Sequence, residues 1–152
     1  MYTLVLGIHS WLRWVALVAG VGAIATTAAD RSPTIRTGRA DMWGLALMIA
    51  LDIQMLLGLL LYLVLSPFTT EAMGNFGAAM KNPALRFFAV EHVALMFAAV
   101  ILAHLGRVLA RKAKTADAKR SRLLICFVVA TIAMLFAIPW PGMPSGRPLF
   151  RL

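Results

Sequence analysis

Two histidines, His9 and His92, carry the clearest capacity for chemistry in this chain, because each stands inside a long apolar stretch. A neutral imidazole is a good ligand for iron, and two imidazoles presented from two helices can hold a haem iron from both sides. If the two helices run parallel, each histidine lies about 10 Å from the same end at 1.5 Å per residue. The spacing therefore predicts one b-type haem bound between His9 and His92.

The helical phase of the two stretches agrees with this prediction. Each histidine begins a stripe of mainly small residues that recurs at i, i+4 and i+7 on one helical face. Small residues allow membrane helices to approach closely, so we expect both stripes to face the interior of a bundle. The stripes are His9, Arg13, Ala16, Gly20 and Ala23 in one stretch and His92, Met96, Ala99, Ala103 and Gly106 in the other.

Three more polar residues lie inside the apolar stretches. A polar side chain at membrane depth is costly unless it is paired, and it often has a functional role. Arg13 and Asp52 both lie about 15 Å from the nearest helix ends, which predicts an ion pair between them. The alternatives are that Arg13 holds a haem propionate or a quinone, or that Asp52 relays protons. Gln54 points to nearly the opposite face from Asp52 and is expected to hydrogen-bond between helices beside the cofactor.

Two ionisable residues on the helix that carries His92 have less specific roles. Glu91 either anchors the membrane interface or orients an imidazole by accepting its proton. His104 is rotated about 120° from His92, which favours a capping or interfacial role over a second haem.

The segment after residue 141 is rich in proline and glycine and carries Arg147 and Arg151. We expect it to form an irregular flap over the outer end of the bundle. With a haem or quinone between His9 and His92, these two arginines are candidates to neutralise its propionates or to attract an acidic partner.

The elements that must position these residues follow from composition. Of 152 residues, 61% are hydrophobic and 14% charged, with a mean hydropathy of +0.83. Residues 3–28, 42–65, 85–108 and 123–138 form apolar stretches, and a hydrocarbon core of about 30 Å requires roughly 20 such residues per helix. The prediction is an all-α integral membrane four-helix bundle, one domain over residues 1–152, with the lipid bilayer as its partner.

Basic residues set the predicted orientation. Seven Lys and Arg residues lie in positions 107–122, and the first connection carries Arg31, Arg36 and Arg39. The positive-inside rule makes both connections cytoplasmic, so an even number of crossings leaves both termini on the outer, periplasmic side. Because topology accounts for the net charge of +9, nucleic acid is not expected as a partner.

The sequence resembles a group of small four-helix bacterial membrane proteins that are loosely labelled cytochrome b-like. The resemblance implies an inner (plasma) membrane location and adds weight to His9, Arg13, Gln54 and His92 as one set. It rests on His9-Ser10-Trp11-Leu12-Arg13-Trp14, Ile53-Gln54-Met55-Leu56-Leu57-Gly58, Arg86-Phe87-Phe88 with Glu91-His92, Ile138-Pro139-Trp140-Pro141 and Arg147-Pro148-Leu149-Phe150-Arg151.

The working hypothesis is a membrane b-type cytochrome-like protein that takes part in electron transfer, with a larger respiratory complex or a quinone as its partner. One alternative is a cofactor-free accessory subunit of a larger membrane complex, whose polar residues serve helix association. Another is a proton or metal transporter built on Asp52, Glu91 and the histidines. The sequence contains no evident catalytic constellation.

Overall fold

The computed structural model describes residues 1–30 and 38–150, and in these ranges the chain is helical and contains no strand. Four helices are long and apolar enough to cross a membrane, as expected of a multi-pass membrane protein: Tyr2–Ala29, Asp41–Leu65, Pro83–Arg111 and Ala116–Ala137. The prediction of an all-α chain with four long apolar helices is confirmed.

The first two long helices are α1 and α2, and the last two are α6 and α7, with three short helices between them. Two of the four long helices include a π-helical turn, one at the end of α2 and one just before α6. The bounds are α1 Tyr2–Ala29, α2 Gly38–Leu60 with the π turn Leu61–Leu65, α3 Pro67–Gly74, α4 Phe76–Ala79, α5 Pro83–Arg86 with the π turn Phe87–Glu91, α6 His92–Arg111 and α7 Ala116–Ala137.

The four long helices pack in a ring. α1 lies against α2 and α7, and α6 lies against the same two helices, so α1 and α6 face each other diagonally. The predicted stripes of small residues fill the centre, where Ala16, Ala23, Ala99 and Ala103 are at most 1% exposed. Diagonal helices of such a ring run in the same direction and direct their inner faces at each other.

The fourth long helix begins at Ala116, seven residues before the apolar stretch that starts at 123. Thr115 caps it, since its side-chain oxygen accepts a hydrogen bond from the Ala118 amide at 3.1 Å, and Asp117 stands in the first turn. Both features stabilise a helix N-terminus. The first two turns are polar, which is why hydropathy alone places the start too late.

The short helices α3–α5 and the tail 138–150 lie at one end of the bundle, which we call the cap end; the opposite end, around residues 107–122, is the basic end. At the cap end the Tyr62 hydroxyl donates to the Ala89 carbonyl at 2.9 Å, and Thr69 donates to the Tyr62 carbonyl at 2.8 Å. The first bond joins the two π turns, and the second joins α3 to the first of them. π turns are rare and frequently mark functional sites.

Close helix packing near the basic end generates the first prediction. A Cβ at Gly106 would lie 2.6 Å from the Cβ of Cys126 on α7, too close for ordinary packing. We expect Gly106→Ala to lower the free energy of unfolding by about 1–3 kcal/mol, because α6 and α7 must separate. Thermal unfolding of the detergent-solubilised chain, followed by circular dichroism, measures the change.

Gly7→Ala is the matched control, since nothing lies within 4 Å of a Cβ at Gly7. It should be neutral or slightly stabilising. Equal destabilisation by the two variants would contradict close α6–α7 packing.

Candidate functional site

His9 and His92 meet in the centre of the bundle near its cap end. Their ring centres are 6.2 Å apart and the ring planes are inclined at 64°. Because α1 and α6 are diagonal, the two imidazoles approach each other across the bundle rather than side by side on neighbouring helices. The structure thus brings together the two residues that the sequence singles out.

The His92 ring is oriented by a backbone carbonyl. Its Nδ1 lies 2.8 Å from the carbonyl oxygen of Ala137, the last residue of α7. A carbonyl oxygen only accepts, so Nδ1 carries a proton and donates, which leaves the Nε2 lone pair available. This is the usual support for a histidine that binds a metal through Nε2.

The position of His9 is fixed through its backbone. Gln54 on α2 is buried and donates from Nε2 to the His9 carbonyl at 2.9 Å, so the predicted interhelical role of Gln54 is confirmed. Gly58, one turn along α2, leaves space for the ring: a Cβ there would lie 3.3 Å from His9 Cε1. The His9 Nδ1 is buried and has no hydrogen-bond partner among the described residues.

A cavity of about 130 Å³ lies between these side chains and is lined by residues of all four long helices and the tail. Five of the predicted site residues line it, namely His9, Arg13, Gln54, His92 and Arg147. The sixth, Arg151, lies outside the described residues. Sequence spacing therefore identifies side chains that share one cavity, although they come from three helices and the tail.

The expected Arg13–Asp52 ion pair is wrong. Arg13 donates from a guanidinium nitrogen to the Leu149 carbonyl in the tail at 2.7 Å, whereas Asp52 Oδ2 lies 3.6 Å from His104 Nε2 on α6. The reason is helical phase: Gln54 faces α1, and a residue two positions earlier points about 200° away around the helix. Asp52 is therefore directed away from the helix that carries Arg13.

Glu91 and Arg147 have local partners at the cap end. Glu91 accepts a hydrogen bond from Arg86 at 2.6 Å, so it forms an ion pair near the helix start, and the Ala137 carbonyl orients the imidazole instead. The Arg147 guanidinium lies over the rings of Phe68 and Phe88, 4.3 and 5.3 Å from their centres. Its positive charge is held beside the cavity by two cation–π contacts.

The tail folds back over the cap end, as the sequence predicts for an irregular flap. Gly142 permits the turn with a φ of 91°. The Leu149 carbonyl accepts from the Trp14 indole at 3.3 Å as well as from Arg13, and the Phe150 ring packs on Trp14 with centres 5.4 Å apart. The sequence analysis predicts the flap but not its contacts with Arg13 and Trp14, for which two adjacent hydrogen-bond donors inside an apolar stretch were a signal.

The ring separation fits one metal ion between the two histidines. Two imidazoles that share a metal, each bonded at about 2 Å through one nitrogen, have ring centres on the order of 6 Å apart. The observed 6.2 Å agrees. The available Nε2 of His92 and the unpartnered Nδ1 of His9 are further features of a ligand-binding pair.

The number of protein ligands differs between a haem and a bare metal ion. A structural zinc site takes four protein ligands and a catalytic one takes three, whereas a haem iron receives four nitrogens from its macrocycle and needs one or two from the protein. His9 and His92 match the number that a haem iron needs. In residues 1–30 and 38–150 no group of three or more His, Cys, Asp or Glu side chains is placed to hold a metal ion.

A haem would fit this cavity only if the side chains that line it rearranged. About 130 Å³ is close to the size of a cavity that accepts benzene, so a porphyrin requires the lining side chains to move apart. Met55, Met96 and Met134 line the cavity and belong to the most adaptable type of apolar side chain. Their flexible side chains are the part of the lining best able to make room for a larger group.

Comparison of the chain with protein-family models, with curated proteins and with solved structures found no match.

Closure of the tail generates the second prediction. Phe150→Ala should raise hydrogen exchange at the Arg147 amide roughly tenfold or more, because the ring that holds the tail on Trp14 is lost and local opening becomes easier. In the folded tail this amide donates to the Pro139 carbonyl at 3.0 Å. Hydrogen-exchange mass spectrometry on the full chain reports the change.

Phe136→Ala is the control, since Phe136 is 69% exposed on α7 and should leave the tail unaffected. Equal exchange at Arg147 in the wild type and in the Phe150 variant would show that the ring does not hold the flap.

Proposed function

We propose that this chain is a membrane b-type cytochrome-like protein that binds one haem between α1 and α6 and takes part in electron transfer. The observation that carries the proposal is the pair of diagonal histidines, His9 and His92, whose ring centres are 6.2 Å apart inside an apolar bundle. Haem supplies an iron centre that accepts and releases one electron at a time.

The chain's own residues would hold that group and set its surroundings. His9 and His92 would hold the iron through one ring nitrogen each, and the carbonyl of Ala137 keeps the His92 tautomer with its Nε2 available. Gln54 fixes the backbone of His9. The lining of the cavity is mostly apolar, with Leu17 and Met96 among its residues, and a surrounding of low polarity keeps electrostatic interactions strong inside the site.

Two arginines supply positive charge for carboxylates of a cofactor. Arg13 and Arg147 both line the cavity, and a guanidinium binds a carboxylate through charge-assisted hydrogen bonds. Arg147 is held at the cap end by the rings of Phe68 and Phe88. Both residues therefore suit haem propionates.

The proposed setting is the bacterial inner membrane, with both termini and the cap end on the outer, periplasmic side. The distribution of Lys and Arg supports this orientation, and the resemblance to small cytochrome b-like membrane proteins supports the location. A quinone or a larger respiratory complex is the proposed redox partner. A single haem near one membrane surface can exchange electrons only with a redox group that lies close to it.

The visible spectrum of the purified full chain, produced with an adequate haem supply, is the decisive experiment. We expect a Soret band and a sharp α band on reduction, and both bands should be lost in His9→Ala and in His92→Ala. His104→Ala is the matched control, because His104 contacts Asp52 away from the cavity, and it should keep the spectrum.

Circular dichroism of each variant separates haem loss from unfolding. A wild-type protein that is folded, helical and colourless would overturn the proposal. A colourless protein that co-purifies with a larger complex would support the accessory-subunit alternative, and one with a stoichiometric metal would support transport.

A further prediction concerns the charge of Arg147. Because reduction adds negative charge, a nearby cation stabilises the reduced form, and Arg147→Gln should lower the midpoint potential by on the order of 50 mV. Redox titration of the α band measures the shift. Arg111→Gln at the basic end is exposed and distant and should leave the potential unchanged; equal shifts in the two variants would argue against Arg147 as a propionate partner.

A further inference from the structure

A polar pair lies on the outside of the bundle at membrane depth. Asp52 Oδ2 and His104 Nε2 are 3.6 Å apart, and the two side chains are 45% and 43% exposed. Asp52 is eleven residues from the start of its span and His104 is seven from the end of its own. At 1.5 Å per residue, the backbone of Asp52 lies about 16 Å and that of His104 about 10 Å from these helix ends.

The surroundings of the pair are apolar and face outward. On α2, the residues one or two turns from Asp52, Leu45, Ile49 and Leu56, are exposed. The matching positions around His104 on α6 are exposed as well, namely Phe97, Ile101 and Val108. Residues at i−7, i−3 and i+4 share a helix face, so this surface, which we call the α2–α6 face, would meet lipid in a single copy.

Lipid is a poor environment for these two groups. A carboxylate has about four acceptor sites, and in the described ranges its contact with His104 is the only ion pair that Asp52 makes. Nδ1 of His104 donates to the Val100 carbonyl at 3.0 Å, which directs Nε2 towards Asp52 and outward. Ionisable groups in membrane-spanning helices almost always face a bundle interior or a water-filled cavity, so a pair that is exposed on the outside of the bundle is unusual.

We propose that the α2–α6 face binds a second copy of this chain, with Asp52 of each copy contacting His104 of the other. The inference uses the membrane orientation given in the proposed function and is independent of haem. Two copies inserted in one orientation are related by a two-fold axis along the membrane normal, and this axis keeps every residue at its own depth.

Complementarity of charge argues for a copy of the same chain. Across a two-fold axis the same surface meets itself, so it must carry both an acceptor and a donor at one height. Asp52 and His104 meet this requirement, because their side chains already touch and therefore lie at the same depth. Each helix side chain inclines towards its own N-terminus, so those of the antiparallel α2 and α6 converge on one level.

Disulfide cross-linking in native membranes tests the interface with the full chain. Leu56→Cys lies one turn from Asp52 on the α2–α6 face, and Ile132→Cys lies on the exposed side of α7, which is diagonal to α2. The native Cys126 is buried and should contribute little background. We expect several-fold more dimer from Leu56→Cys than from Ile132→Cys; equal cross-linking, or cross-linking only to another protein, overturns the proposal.

Co-production of two variants tests whether Asp52 of one copy contacts His104 of the other. Copies carrying Asp52→Ala and copies carrying His104→Ala, with different affinity tags, are produced together. A mixed dimer keeps one Asp52–His104 contact between copies, and neither homodimer keeps any. One such polar contact corresponds to roughly threefold to tenfold in association, so the ratio of mixed dimers to homodimers should exceed its statistical value by about that factor.

A purely statistical mixture would overturn the exchange of Asp52 and His104 between copies. Neither experiment depends on haem, and the visible spectrum of the wild type does not depend on dimer formation. The failure of one proposal therefore does not imply the failure of the other.

Discussion

Polar groups inside an apolar bundle must find their partners within the protein, and this constraint accounts for the arrangement of the cap end. Gln54 donates to the backbone of His9, His92 donates to Ala137, and Arg13 donates to Leu149. In each case a side chain on one element satisfies a carbonyl on another. The same bonds that remove the cost of burial therefore join α1, α2, α6, α7 and the tail around one cavity.

Small residues allow close helix packing in the middle of the bundle and at its basic end. Alanines such as Ala99 and Ala103 are fully buried in the middle, and Gly106 brings α6 close to α7 near the basic end. Nearer the cap end, larger side chains such as Tyr62 and Met96 line the cavity that contains His9 and His92.

Much of the site follows from residue spacing. The depth and phase of His9 and His92 predict that they meet, and the phase of Gln54 predicts its bond between helices, because both depend only on the regular geometry of a helix. The predicted Arg13–Asp52 pair fails for two reasons. Asp52 lies about 200° around α2 from Gln54 and so faces away from α1, where it meets His104. Arg13 binds Leu149 in an irregular tail, whose path has no periodicity from which it could be predicted.

The central claim, that two histidine nitrogens bind one haem iron in the centre of the bundle, is tested most directly by electron paramagnetic resonance. The oxidised full chain would be prepared with ¹⁵N-labelled histidine and with unlabelled histidine. The account predicts a low-spin ferric signal with hyperfine couplings from two histidine nitrogens. A high-spin signal, coupling to a single histidine, or the absence of any ferric signal in folded protein would contradict it.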